Sequence, residues 1–262
     1  MQFTVAGQPT YAYTGTRRLL AAQPTVVFVH GAANDHSVWA LQSRYFAWHG
    51  HNVLAVDLPA HGRSAGAPLR SVDAIADWLI ALLDAAGVER AALVGHSMGS
   101  LAALAAAARH RDRVSRIGLV GAAVPMPVSD ALLAAAKAGD HLAFELINGW
   151  SFSPGKQLGG NRVPGVWMIG NSLRLIERTR PGVLHVDLAA CNDYAGGLEA
   201  AAAVRCPALL ILGARDLMAP PRSAEALVAA LPDRSVVMLP DCGHAQMAEQ
   251  PDAVLDALRG FL

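Results

Sequence analysis

Short unbroken apolar runs alternate with longer stretches of helical period along most of this chain. TVVFVHG (Thr25–Gly31) has no polar alternation, which predicts a strand buried on both faces and closed by a His-Gly turn. NVLAVDLPAHGRS, from Asn52, predicts a second such strand running into a Pro/Gly loop. SVDAIADWLIALLDAAG opens on a serine cap, keeps a helical period and stops at Gly87. AALVGHS then reads as a strand, MGSLAALAAAARH as a helix and RIGLVGAA as a strand again. PALLILGARD and SVVMLPDCGH add two strands around a helix over Pro221–Leu231, and a last helix follows Pro251. This alternation implies right-handed crossovers and a mostly parallel sheet covered on both faces. The opening QFTVAGQP and YAYTG predict a hairpin that adds antiparallel strands at one edge.

Between Val124 and about Ala195 the rhythm changes to helical pieces with Pro/Gly breaks, and no strong strand returns until Ala208. The expected organisation is a core of residues 1–123 and 196–262, with residues 124–195 inserted as a helical cap. Such a cap sits over the carboxyl ends of the strands, where open sheets bind ligands.

Composition narrows the function classes. The chain has 262 residues, 53% of them hydrophobic and 16% charged, which disfavours disorder and allows a two-sided core. Formal net charge is zero and no basic block occurs, so nothing recommends nucleic acid or an anionic membrane as partner. The N-terminus lacks a basic region followed by an apolar one, and no apolar run reaches bilayer length. Cys191, Cys206 and Cys242 follow no disulfide or metal spacing. A reduced, cytoplasmic protein without a bound metal is the expectation.

Candidate chemistry centres on Gly95-His96-Ser97-Met98-Gly99, a G-x-S-x-G pattern between an apolar strand and a helix. A serine in so sharp a turn takes a strained backbone, and a Cβ two residues to either side would collide with neighbouring chain. The turn also aims the first helix amides at whatever the hydroxyl attacks. A serine needs a base, and the base an orienting acid. Of ten histidines, His244 follows Gly243 just past the last strand, at the rim that carries Ser97. His96 and His30 are read as structural. Asp216 ends a strand in the same way, whereas Asp57 begins a loop, Asp241 lies too near His244 in sequence, and Gly121, Ala122 and Ala123 fill the rival position.

HGAANDHSVW (30–39), DLPAHGRS (57–64), GHSMGS (95–100), GARDLMAP (213–220) and DCGHAQMAEQP (241–251), in that order, resemble the α/β-hydrolase superfamily along nearly the whole chain. The resemblance implies an eight-stranded, mostly parallel sheet flanked by helices, with a helical lid inserted after the sixth strand. It implies Ser97 as nucleophile, His244 as general base and acid, Asp216 as orienting carboxylate, and the N–H groups of Ala32 and Met98 as oxyanion hole. Ala60 departs from the glycine usual in that loop. HGAAND lacks the glycine run of hormone-sensitive-lipase-like esterases, and Ser97 argues against the aspartate-dependent dehalogenases and epoxide hydrolases.

The implied chemistry is cofactor-free acyl transfer on a small or medium, partly apolar carboxylic ester, thioester or lactone, by a monomer or homodimer. Phe144, Trp150, Phe152, Trp167 and Met168 are either pocket walls or packing for the lid. Asp35 and His36 beside the oxyanion loop are candidates for a polar substrate group, and Arg174, Arg178 and Arg180 for a carboxylate. Perhydrolysis, transfer to another alcohol and lyase chemistry use the same triad. A receptor that keeps the triad with little turnover also stays open; a scaffold role has no heptad, repeat or charged tail to support it.

Overall fold

A strand with no polar face needs cover on both sides, and the chain supplies two helical layers. The computed structural model describes residues 1–160 and 165–262. Its strands are β1 (Gln2–Val5), β2 (Gln8–Tyr13), β3 (Thr25–Val29), β4 (Asn52–Val56), β5 (Ala91–His96), β6 (Val114–Val120), β7 (Ala208–Gly213) and β8 (Arg234–Leu239). They form one sheet in the order β1-β2-β4-β3-β5-β6-β7-β8. β1 and β2 are the expected hairpin and join β4 antiparallel, and every later pairing is parallel. Every residue of β3, β4, β5 and β7 is buried. β8, at the edge, exposes most of its positions.

Side chains alternate across the sheet. Val26 and Phe28 pack with Trp39, Phe46 and Leu258 on one face. That face is covered by α1 (Ala40–Trp48) and by α12 (Pro251–Arg259), which follows the one-turn α11 (Gln246–Glu249). Val27 and Val29 pack with Leu79 and Leu104 on the other. There the cover is α2 (Val72–Ala85), α3 (Met98–Arg109), α9 (Gly197–Ala203) and α10 (Pro221–Ala230). Ser71 caps α2 as the sequence predicts, its side chain accepting the Ala74 N–H at 3.1 Å.

Between β6 and β7 lie α4 (Asp130–Ala138), α5 (Leu142–Ser151), α6 (Pro154–Gln157), α7 (Met168–Ile176) and α8 (Val183–Asn192). All but α6 share an apolar cluster of their own, in which Leu132, Ile147, Ile176 and Leu188 meet Ala33. Ala33 follows β3 at its carboxyl end, so these helices stand over that rim of the sheet. The order of strands reverses at β3, between β4 and β5, which is where open α/β sheets leave a crevice. Among the described residues no helix is long and apolar enough to cross a membrane.

Two buried imidazoles brace the same rim. His30 Nδ1–H donates to the Gly31 carbonyl at 2.8 Å, and its Nε2 accepts the Leu58 N–H at 3.1 Å. His96 ends β5, and its Nε2–H donates to the carbonyl of His244 at 2.8 Å. Burial, and then the neighbouring rings of His61 and His244, push His30 down to about 4 and His96 to about 3. Between those values and the ordinary ~6.5, each ring takes up a proton only on unfolding, at a cost of about 1.4 kcal/mol of stability per pH unit. The urea midpoint is therefore expected to fall as the pH drops from about 6.5 to about 5. A midpoint that stays level over that interval overturns the picture of two neutral buried rings.

Candidate active site

Ser97 sits at φ 53°, ψ −118°, in the left-handed half of backbone space that L-residues avoid. Such a conformation costs on the order of 1–3 kcal/mol and persists only where its surroundings fix it. Here the Ser97 N–H donates to the Val120 carbonyl at 2.9 Å, and the Ser97 carbonyl accepts the Ser100 N–H at 2.8 Å and the Ser100 hydroxyl at 2.6 Å. Both flanking glycines are steric requirements. A Cβ on Gly95 would lie 2.0 Å from the Gly99 carbonyl oxygen, and one on Gly99 would lie 2.5 Å from that of Val29. The turn leaves Met98 N–H at the start of α3, where no intrahelical acceptor exists.

His244 lies buried beside this turn, with Nδ1 2.8 Å from Oδ2 of Asp216. A carboxylate only accepts, so Nδ1 carries a hydrogen, which in the neutral ring leaves the lone pair on Nε2. That Nε2 is buried and has no hydrogen-bond partner. The other Asp216 oxygen, Oδ1, accepts the N–H groups of Met218 and Ala219, each at 2.8 Å. Burial by itself would raise the Asp216 pKa. The His244 ring and the hydrogen bonds outweigh it and hold the carboxyl below the usual range. Gly121, φ 60°, leaves the space the ring occupies: a Cβ there would stand 3.1 Å from His244 Cε1.

Ser97 and His244 line one cavity of about 330 Å³, together with Ala32, Trp150, Ile147 and Met218. A second cavity, of about 600 Å³, shares Asn34, His96 and Ser151 with the first. Of the residues expected from sequence, Ala32 and Trp150 line the first cavity, while Phe152 and Met168 line the second with Arg174 and Arg178. The Met98 side chain is fully buried behind the turn.

Other candidates lie elsewhere. Phe144 packs into the apolar cluster of the inserted helices. Trp167 is 70% exposed and folds against Gly170, where even a Cβ would collide with its ring. Asp35 caps the short 3-10 turn His36–Trp39, accepting the Ser37 N–H at 2.8 Å and the Ser37 hydroxyl at 2.5 Å. His36 places its N–H and Nδ1 on Oδ1 of Asp57, at 2.8 and 2.7 Å. Asp57 Oδ2 accepts the Arg63 N–H at 2.8 Å. Asp35, His36 and Asp57 bring three potential metal donors within 4.8 Å of one another. Their hydrogen bonds are spent on the loop, which makes the group a brace. Arg174 pairs with Glu177 at 2.7 Å, and Arg180 donates to the Ser64 carbonyl at 2.9 Å. Neither Asp187 nor His61 is a candidate on sequence grounds, yet Asp187 joins the loop after β3 by accepting the Ala33 N–H at 2.9 Å. Its one sequence signal is a lone acid in the apolar run VLHVDLAAC.

A model described as the alpha/beta hydrolase family matches residues 26–257, from β3 to within α12. A pimeloyl-[acyl-carrier protein] methyl ester esterase from Aromatoleum aromaticum is 31% identical over 262 aligned residues, covering 91% of this chain and 99% of the relative. Esterase YbfF from Escherichia coli is 27% identical over 247, covering 90% and 92%. The crystal structure of an enol-lactonase from Burkholderia xenovorans LB400 has the same fold, with a TM-score of 0.88 at 24% identity over 100% of this chain and 99% of that one. Such a match across nearly the whole length places this chain in the alpha/beta hydrolase family.

Proposed function

We propose that this protein is a serine esterase that cleaves small to medium, partly apolar carboxylic esters or lactones through an acyl-enzyme on Ser97. The observation that carries the reading is His244: Nδ1 is bound to a buried acid, and the bare Nε2 belongs to a ring lining the same cavity as the strained serine. Relatives named as a methyl ester esterase and as an esterase point to the same substrate class.

Each residue then has a role. Ser97 Oγ attacks the acyl carbon while His244 Nε2 takes its proton, and Asp216 stabilises the imidazolium without taking a proton itself. The N–H groups of Ala32 and Met98 receive the negative charge that develops on the acyl oxygen. His244 returns the proton to the departing alcohol, then removes one from the water that attacks the acyl-enzyme. No step calls for a metal or organic cofactor. Residues 124–195 act as a lid over the core formed by 1–123 and 196–262. Ile147, Trp150 and Leu188 from that lid give the cavity an apolar wall suited to a modest acyl chain.

In a chain-length series of activated esters, Ser97→Ala and His244→Ala are expected to lower kcat by roughly 10⁶, and Asp216→Asn by on the order of 10⁴. A fluorophosphonate should label Ser97 in the parent protein and not in Ser97→Ala. Turnover that survives Ser97→Ala, or ester binding without turnover by the parent, rejects the reading.

A further inference from the structure

We propose that Asp187 of α8 is a positioning residue for the Ala32 amide, so that the inserted helices aim the oxyanion donor; this rests on Ala32 N–H being that donor. A donor of this kind is worth little unless it is held within a fraction of an ångström of its target. The segment that carries it, after β3, has no strand ladder to hold it. Hydrogen bonds from outside must do so.

They do so one peptide at a time. The Gly31 carbonyl accepts His30 Nδ1–H at 2.8 Å and the Asn34 N–H at 3.3 Å. In a trans peptide the N–H points opposite the carbonyl, so anchoring Gly31 O sets the direction of Ala32 N–H. The next peptide is pinned at both ends: the Ala32 carbonyl accepts Asn34 Nδ2–H at 3.0 Å, and the Ala33 N–H donates to Asp187 Oδ2 at 2.9 Å. The Ala33 carbonyl in turn accepts the Thr179 hydroxyl at 2.8 Å. Ala33 itself is at φ 56°, a conformation that needs such restraint. Asp187 and Thr179 both belong to the inserted segment, and between them they take up both backbone polar groups of Ala33.

Asp187 is held in its turn. It is 2% exposed, and the same Oδ2 accepts His61 Nε2–H at 2.8 Å. His61 is 3% exposed, and its Nδ1 meets the Pro59 carbonyl at 3.0 Å, so both ring nitrogens donate and the ring is an imidazolium paired with Asp187. An acid that only packed the helices together would not need an amide of the oxyanion-side loop as its second partner. In this geometry, seating of the helices and aim of the donor are one event.

The test compares Asp187→Leu, Asp187→Asn and Thr179→Val on one activated ester, with active sites counted by phosphonate burst. Asp187→Leu removes both hydrogen bonds and should lower kcat per titrated site about 10- to 100-fold, short of the 10²–10³ for deleting a donor outright. KM should stay within about twofold, and the inhibition constant of a boronic acid should rise with the loss in kcat/KM, as for any interaction made only in the transition state. Asp187→Asn, with its amide oxygen in the place of Oδ2, keeps an acceptor for both the Ala33 N–H and His61 Nε2–H, and should recover most of kcat. Thr179→Val should give a smaller loss of the same pattern, and it decides the matter if Asp187→Leu does not fold. A merely structural role would lower Tm and the titrated fraction while leaving kcat per site and boronate affinity unchanged, and that result overturns the proposal. Ser97→Ala, run in parallel, keeps the readings apart: if it stays active the catalytic reading fails, and if it is dead while the other variants turn over normally only the positioning role fails.

Discussion

One backbone conformation organises the carboxyl rim of this sheet: Ser97 in the left-handed region. The strain lifts the hydroxyl above the sheet and opens the first amide of α3. It survives because β6 supplies the acceptor for the Ser97 N–H and Ser100 supplies two donors to its carbonyl. Gly95 and Gly99 are there because the turn brings α3 against β5 and against the end of β3, with no room for a methyl group. The buried strands and their helical cover are what hold so unfavourable a turn in place, since unfolding the rim would expose a fully apolar sheet centre.

The inserted helices grip this rim on both sides of the serine. On one side Asp187 and Thr179 hold Ala33. On the other, the Ser151 carbonyl accepts the Ala245 N–H at 2.8 Å, directly after His244. Glu249 completes that side, accepting the Gly243 N–H at 2.9 Å and the Ser153 hydroxyl at 2.5 Å. Burial raises the Glu249 pKa, and the hydrogen bonds from Ser153 and Gly243 only partly offset it. A buried acid kept in such a place is costly, and its partners are backbone and hydroxyl groups at the base of the His244 loop. The loops that carry the imidazole and the Ala32 amide therefore share one set of supports.

Much of this was legible in the chain. The apolar runs gave the strands and their order of appearance, because a strand buried on both faces has nothing to alternate. Ser97, Asp216 and His244 stood out by position, each just past a strand, and residue spacing carries that information well. The cavity walls did not read as clearly. Trp150 and Trp167 are the same residue type in the same inserted segment, yet one lines the cavity and the other lies exposed against Gly170. Which way each ring points depends on helix packing that local sequence does not encode. Asp35 and His36 looked like substrate contacts from their place beside the loop after β3, and a helix cap and Asp57 engage Asp35 Oδ1 and His36 Nδ1 within that loop. Asp187 was invisible for a different reason: its partners are His61 and Ala33, 126 and 154 residues away.

The four histidines at this rim show why residue type alone carries so little. His30, His61, His96 and His244 are all buried, and their environments sort them into different states. His61 faces two acceptors and is held charged by Asp187; that charge outweighs a burial that alone would lower its pKa, so the value rises. His30 faces one acceptor and one donor, which fits only a neutral ring with the hydrogen on Nδ1. His96 donates from Nε2 to the His244 carbonyl and keeps a bare, buried Nδ1, with its ring centre 4.7 Å from that of His244. A second positive charge at that distance would oppose the imidazolium that His244 becomes in the proposed acyl transfer. Burial removes the conflict by keeping His96 neutral, with its one donor anchoring the backbone of His244. In the proposed mechanism, the imidazolium facing Asp216 then has a neutral ring beside it at His96.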